Sequence, residues 1–295
     1  MSFIFGSGKY QIRGKVALVT GALGDIGRAI SLRLASLGAS LVLVDILPED
    51  AGERFCDTAR QGVDGLSVIY IKADLRNAVD IQRMLDEGMQ AYQRIDILVN
   101  NAGLALYEKF YNQASGEAVR AVADVNMWAP IETCRLFVSS LKELGREGVV
   151  VNMCSIASIL PAKGFEIYGA TKAALVYFTK VNAYLAPQIR VTGVAPSFVD
   201  SNMFRETKKR SKLSLLNQNT VVPLDVVADA VVRQIESRSS GGQTVMQIGR
   251  WKALPMWHLD ISLWYALLAL YFCWAWSLVT SLFSPTRWMG KTATD

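Results

Sequence analysis

Histidine is almost absent: His258 is the only one in 295 residues, so a histidine-based acid, base or metal site would rest on a single side chain. Cysteine is scarce and scattered. Cys56, Cys134, Cys154 and Cys273 form no C-x-x-C pair, which removes the zinc-ribbon and dithiol-redox classes, and no metal is expected. Charge of one sign is also missing. The 31 Lys and Arg set against 26 Asp and Glu leave a formal +5, spread along the chain without a nucleic-acid motif, so no nucleic-acid partner is expected. The first residues offer only the short apolar run Phe3, Ile4 and Phe5, too brief for a signal-peptide core. The catalytic part is therefore expected in a reducing cytosol.

What the chain does have is apolar residues, 51% of the total, with a mean hydropathy of +0.23. From residue 15 onward, short runs rich in Val, Ile and Leu alternate with amphipathic stretches, which predicts βα units and a parallel sheet covered on both faces. The expected strands are 16–20, 40–45, 67–71, 95–100, 148–154, 189–195 and 244–248. The fold class is thus α/β, a doubly wound parallel sheet in a single Rossmann-like domain, with a C-terminal hydrophobic helix. Residues 1–14 read as an N-terminal arm, 15–250 as the α/β domain, and about 202–222 as a lid within it.

Composition shifts after residue 250. Residues 261–283 carry no charge and as a helix would be about 34 Å long, enough for a hydrocarbon core of about 30 Å. Trp251, Trp257 and Trp288 flank the run as an aromatic belt does. A single C-terminal membrane anchor is expected there, with 251–260 as a juxtamembrane linker, 284–295 as a short tail, membrane lipid as partner and the catalytic domain cytosolic. A buried or interfacial helix over the substrate entrance is the competing reading.

The first expected strand runs into Thr20-Gly21-Ala22-Leu23-Gly24-Asp25-Ile26-Gly27 and then an amphipathic helix. Glycines at such a turn let backbone approach a pyrophosphate, and the helix N-terminus adds amide donors and a favourable dipole, so Gly21, Gly24, Asp25, Ile26 and Gly27 are expected at the cofactor. Asp45 closes the second strand, where a carboxylate accepts from both ribose hydroxyls and repels a 2′-phosphate. That favours NAD over NADP. Further on, Tyr168 and Lys172 stand four apart in an apolar-periodic helix, hence on one face, and a cation there favours a tyrosinate able to exchange a proton with a carbonyl oxygen.

These residues resemble the classical short-chain dehydrogenase family, over about residues 14 to 250. Ser155, thirteen residues before Tyr168 and at the end of the fifth strand, matches the family serine that holds the substrate oxygen, and Asn126 matches its fourth catalytic member. The resemblance implies that Lys172 also bonds the nicotinamide ribose, that Asp74 and Leu75 meet adenine, and that Asn101, Ala102 and Gly103 line the cofactor edge. Val199 and Ser201 fall in the segment that contacts the nicotinamide amide. Two positions depart from the family pattern: Asp25 replaces the middle glycine of the turn, and Ser197 replaces the glycine after Pro196.

The family's substrate pocket maps onto Ile156, Ala157, Ile159, Leu160, Pro161, Phe165, Met203 and Phe204, an apolar lining suited to a lipid, steroid, terpenoid or polyketide alcohol. Short stretches such as LVLVDILPEDAG look similar to the 15-hydroxyprostaglandin dehydrogenase branch. The expected function is NAD-dependent interconversion of a hydrophobic secondary alcohol and its ketone, in a homodimer or homotetramer. An NADPH-dependent ketoreductase is the alternative among enzymes, and a catalytically silent, membrane-anchored dinucleotide-binding scaffold is the alternative outside them.

Overall fold

The computed structural model describes residues 8–63, 65–106, 111, 116–160, 163–205, 221–247 and 254–255. Eight strands form one sheet: β1 (Val16–Thr20), β2 (Ser40–Asp45), β3 (Val68–Lys72), β4 (Ile97–Asn100), β5 (Gly148–Met153), β6 (Ile189–Pro196), β7 (Thr244–Gln247) and β8 (Leu254–Pro255). Their order across the sheet is β3-β2-β1-β4-β5-β6-β7-β8. Seven of them run parallel. The strand order reverses between β1 and β4, which opens a crevice at the carboxyl ends where doubly wound sheets take ligands.

The parallel strands are apolar on both faces because helices cover both. Alternate residues of β1 and β4 point to opposite sides: Ala17, Val19, Ile97 and Val99 pack on one layer, Leu18 and Leu98 on the other. The first layer holds α1 (Asp25–Ser36), α2 (Glu49–Arg60) and α7 (Leu224–Glu236), and the second holds α3 (Ala78–Tyr92) and α5 (Ala129–Glu143). Leu18, Leu41, Leu43 and Leu98 are fully buried, and burying each such side chain contributes about 1.5–3 kcal/mol. Two further helices, α4 (Gly116–Ala123) and α6 (Glu166–Val181), complete the frame near the site.

The expected strands stand within a residue or two, and two features differ. The eighth strand is antiparallel to β7 and falls in the stretch read as a linker; two residues are too few to show a period. Of the two units into which the chain divides, the first accordingly extends to Pro255. The expected arm is also part of the body from residue 10: Tyr10 and Ile12 are buried, and the Tyr10 amide donates to Glu236 O at 2.9 Å. The expected membrane-crossing stretch 261–283 lies outside the described residues, as do 206–220 of the expected lid. Among the described residues no helix is long and apolar enough to cross a membrane.

Candidate active site

The glycine turn joins β1 to α1 as expected, and its glycines are fixed by contact. Gly21 adopts a φ of +60°, and a Cβ there would stand 2.7 Å from Ala102 Cα. At Gly27 an added Cβ would lie 2.1 Å from Gly21 O. The turn is tied to the end of β4 by side chains as well. Asn101 Nδ2 donates to Thr20 O at 2.9 Å and Gly21 O at 3.0 Å, while the Asn101 and Ala102 amides both donate to Thr20 Oγ1 at 3.1 Å. Thr20 was not singled out from the sequence; its place directly before the turn was the available signal. Ile26 is partly buried against the core.

Asp45 sits where β2 ends and turns back to the glycine turn. Its Oδ2 accepts the Leu23 amide at 2.9 Å, and its Oδ1 accepts the Ile46 and Leu47 amides at 2.8 and 3.3 Å. A carboxylate has about four lone-pair sites, so acceptor capacity remains for a ribose hydroxyl. At the end of β3, Leu75 belongs to the core, while Asp74 is gripped by Arg76 through a pair at 2.6 Å that holds its carboxyl below the usual range. Arg76, two residues further on, was likewise not singled out.

Asn126 lies in a π-helical turn, Asp124–Trp128, between α4 and α5. Such bulges recur at functional sites because they turn a side chain inward. The Asn126 side chain is fully buried: its Oδ1 accepts the Leu104 amide at 2.8 Å, and its Nδ2 donates to Leu104 O at 2.8 Å and to Thr171 Oγ1 at 3.3 Å. A Cβ on Gly103 would be 3.4 Å from Asn126 Oδ1 and 3.6 Å from Lys172 Nζ. Asn126, Gly103 and Lys172 thus meet at one point. Beneath them, Thr133, Asn100, Asn152 and Thr179 form a buried relay of hydrogen bonds from α5 through β4 and β5 to α6.

Ser155 follows β5 and caps the 3₁₀ turn Ile156–Ser158, its Oγ accepting the Ala157 amide at 3.2 Å. Burial is the largest influence on the Tyr168 hydroxyl and raises its pKa, while the neighbouring Ser155 hydroxyl works against that rise. One turn along α6, Lys172 Nζ donates to Met153 O at 2.7 Å and stands 5.8 Å from the Tyr168 ring centroid. Burial brings the Lys172 ammonium down to about 8. With only the chain's own groups around them, desolvation favours neutrality in both. Ionising Tyr168 there requires a compensating positive charge beside it.

Val199 is buried beside Val222, and Ser201 Oγ accepts the Phe204 amide at 3.3 Å. Ser197 has no positive φ, so the position does not demand glycine, and its amide donates to Gln247 O at 2.8 Å. Asp25 does not cap α1, since Gly24 is the capping residue without a side-chain bond. Instead its carboxylate accepts from Asn202, through the backbone amide at 2.6 Å and the side-chain amide at 3.3 Å. Of the expected substrate lining, Phe165 packs edge-on to Tyr168 with ring centroids 6.0 Å apart, and Phe204 lies 5.4 Å from Phe198. Leu160 and Met203 are exposed, and Pro161 lies outside the described residues. Arg205 pairs with Asp200 at 2.6 Å.

Comparison with known proteins agrees with this geometry. Residues 15–212 match the family model for short chain dehydrogenases. The 11-beta-hydroxysteroid dehydrogenase-like 2 of Arabidopsis thaliana is 31% identical over 65% of this chain and 62% of its own length. The 11-beta-hydroxysteroid dehydrogenase A of Arachis hypogaea is 32% identical over 65% of this chain and 54% of its own. The chain thus spans less than two thirds of these two relatives. The 1-deoxy-11-beta-hydroxypentalenate dehydrogenase of Streptomyces avermitilis is 31% identical over 75% of this chain and 81% of its own length. A short chain dehydrogenase from Burkholderia cenocepacia, solved in complex with NADP, superposes with a TM-score of 0.71 at 28% identity, over 81% of this chain and 98% of that one. The chain belongs to the short-chain dehydrogenase family.

Proposed function

We propose that this protein is an NAD-dependent oxidoreductase that interconverts a hydrophobic secondary alcohol and its ketone. The observation that carries the reading is the set at the β5 and α6 ends, where Ser155 and Lys172 are buried and Lys172 Nζ stands one helical turn from Tyr168, 5.8 Å from its ring centroid. In the oxidising direction Ser155 Oγ holds the alcohol oxygen while Tyr168 Oη accepts its proton, and the carbon–oxygen double bond forms as hydride leaves the carbinol carbon. A nicotinamide dinucleotide supplies the hydride acceptor. Lys172 Nζ, when charged, favours the tyrosinate that takes the proton and offers a donor to the nicotinamide ribose. Asn126 holds Leu104 and, through Thr171, the helix that carries Tyr168.

The residues present fit a dinucleotide: a turn that excludes side chains at Gly21 and Gly27, a helix N-terminus, and Asp45 with acceptor capacity to spare. Gly21, Gly24, Ile26, Gly27, Asp45, Asp74, Leu75, Asn101, Ala102, Gly103, Val199 and Ser201 are the chain's positions for holding it. Asp45 supports NAD over NADP. One observation favours the NADPH alternative: Arg28 Nε donates to Leu23 O at 2.9 Å, on the residue whose amide bonds Asp45. Titrating the protein with NADH and NADPH separates the two, and a clear preference for NADPH would overturn the role given to Asp45.

The apolar lining and the relatives named for hydroxysteroid and hydroxypentalenate dehydrogenases support a lipophilic ring or chain alcohol. The uncharged run 261–283 and its flanking tryptophans support a C-terminal membrane anchor with the catalytic domain in the cytosol. Carbonate extraction of expressed protein tests the anchor: retention in the pellet is expected, and release into the soluble fraction contradicts it. A screen of lipophilic secondary alcohols with NAD, following reduced cofactor, tests the reaction. Turnover is expected on at least one of them. Cofactor binding with no turnover across such a screen would favour the scaffold reading.

A further inference from the structure

We infer that Asp25 is a built-in competitor for the pyrophosphate of the dinucleotide, held in place by Asn202. The inference rests on the dinucleotide-binding reading above. Asp25 is the first residue of α1, at the helix end where unpaired amides and the dipole favour an anion. Its carboxylate makes no cap there. Both of its oxygens turn instead to Asn202, at 2.6 Å to the backbone amide and 3.3 Å to the side-chain amide.

The donor side is preorganised. Ser201 accepts the Phe204 amide on its Oγ and the Arg205 amide on its carbonyl, which shapes the turn that presents the Asn202 amide. Arg205 donates to Asn202 Oδ1 at 3.2 Å and to Asp200 at 2.6 Å, so the Asn202 side chain is oriented with its amide nitrogen left for Asp25. The carboxylate therefore ties the segment after β6 to the glycine turn, on the helix end that a pyrophosphate would use.

Gly24 beside Asp25 is exposed, and a Cβ there would meet only Gly21 O at 3.5 Å, whereas Gly27 is sterically obligatory. Two anions on one helix end repel each other. Binding of a dinucleotide must push Asp25 aside or accept its charge, and in the first case Asn202 is released. Asp25 thus sets cofactor affinity and couples cofactor binding to the turn at residues 201–205.

The test uses the full chain and two variants, Asp25→Asn, which removes the charge and keeps an acceptor for Asn202, and Asp25→Gly, which removes both. NADH is titrated by fluorescence, and hydrogen exchange of the amides at 201–205 is followed with and without it. Both variants are expected to bind NADH more tightly, by roughly three- to tenfold. NADH is expected to speed exchange at 201–205 in the parent and to leave it unchanged in Asp25→Gly. Unchanged or weaker binding by both variants would overturn the inference. So would slower exchange in the parent with NADH, since Asp25 and Asn202 would then clamp the cofactor rather than compete with it. If the parent and both variants bind no dinucleotide, the functional reading fails together with this one; failure here alone shows as parent binding that the substitutions do not tighten.

Discussion

The two halves of the site are built from different materials. At the ends of β1 and β4 the cradle is backbone held at contact distance: Gly21 against Ala102, Gly27 against Gly21 O, with Thr20 and Asn101 stitching the strands together. At the ends of β5 and α6 the proposed catalytic set is made of side chains: Ser155 and Lys172 buried, Tyr168 half-buried, backed by Asn126. A surface made of backbone is damaged by added atoms, and one made of functional groups by lost atoms. The cofactor half is thus a matter of shape, and the catalytic half one of charge and hydrogen bonds.

Substitutions that add or remove single groups can break this contrast. The largest effect on the cofactor half is expected from Gly27→Ala. Its methyl would overlap Gly21 O, so either the turn moves or the chain fails to fold. Dinucleotide binding measured by titration should fall by about a hundredfold or more, equivalent to about 3 kcal/mol. Near-parental affinity would show that the turn is not the rigid cradle described.

In the proposed catalytic half Asn126→Ala removes three hydrogen bonds made by a fully buried side chain. Thermal or denaturant unfolding should show a loss of about 1–3 kcal/mol, with turnover lowered as well. A loss confined to turnover would place Asn126 in the chemistry rather than in the support of α6.

Lys172→Met probes charge through pH. The folded Lys172 titrates at about 8, against about 10.4 in an unfolded chain. Between those values the unfolded state binds more protons, so this group makes the folded chain more stable as pH rises from about 8 to about 10.4. Below pH 8 the full cost of burying the cation is present. The stability difference between parent and variant should therefore shift in the parent's favour across that window, by at most about 3 kcal/mol. A flat difference would mean that Lys172 is not desolvated. The smallest effect is expected from Asp45→Ser, about a tenfold loss of preference for NADH over NADPH by titration.

Much of the frame was legible because long apolar runs have one use in a doubly wound sheet, and β1, β2 and β6 are such runs. The candidate set stood out for another reason: glycine, aspartate, serine, tyrosine and lysine stood at strand ends and one helical turn apart. What escaped the sequence depends on long-range contact. Thr20 acts on residues about eighty positions away, Asp25 on one 177 away, and Tyr10 joins the body through the end of α7. The strand at Leu254–Pro255 was hidden by its brevity. Whether Asp74 can serve adenine was equally invisible, because its pairing with Arg76 is a matter of rotamer rather than of spacing.

Tyr168 is proposed as the residue that moves the proton. Single-turnover hydride transfer to NAD, measured as reduced cofactor on an alcohol that the parent oxidises, tests it most directly when Tyr168→Phe is compared with the parent at saturating cofactor. Hydride transfer slowed by about a thousandfold with NADH affinity unchanged is the predicted result. A Tyr168→Phe protein that transfers hydride as fast as the parent would contradict it.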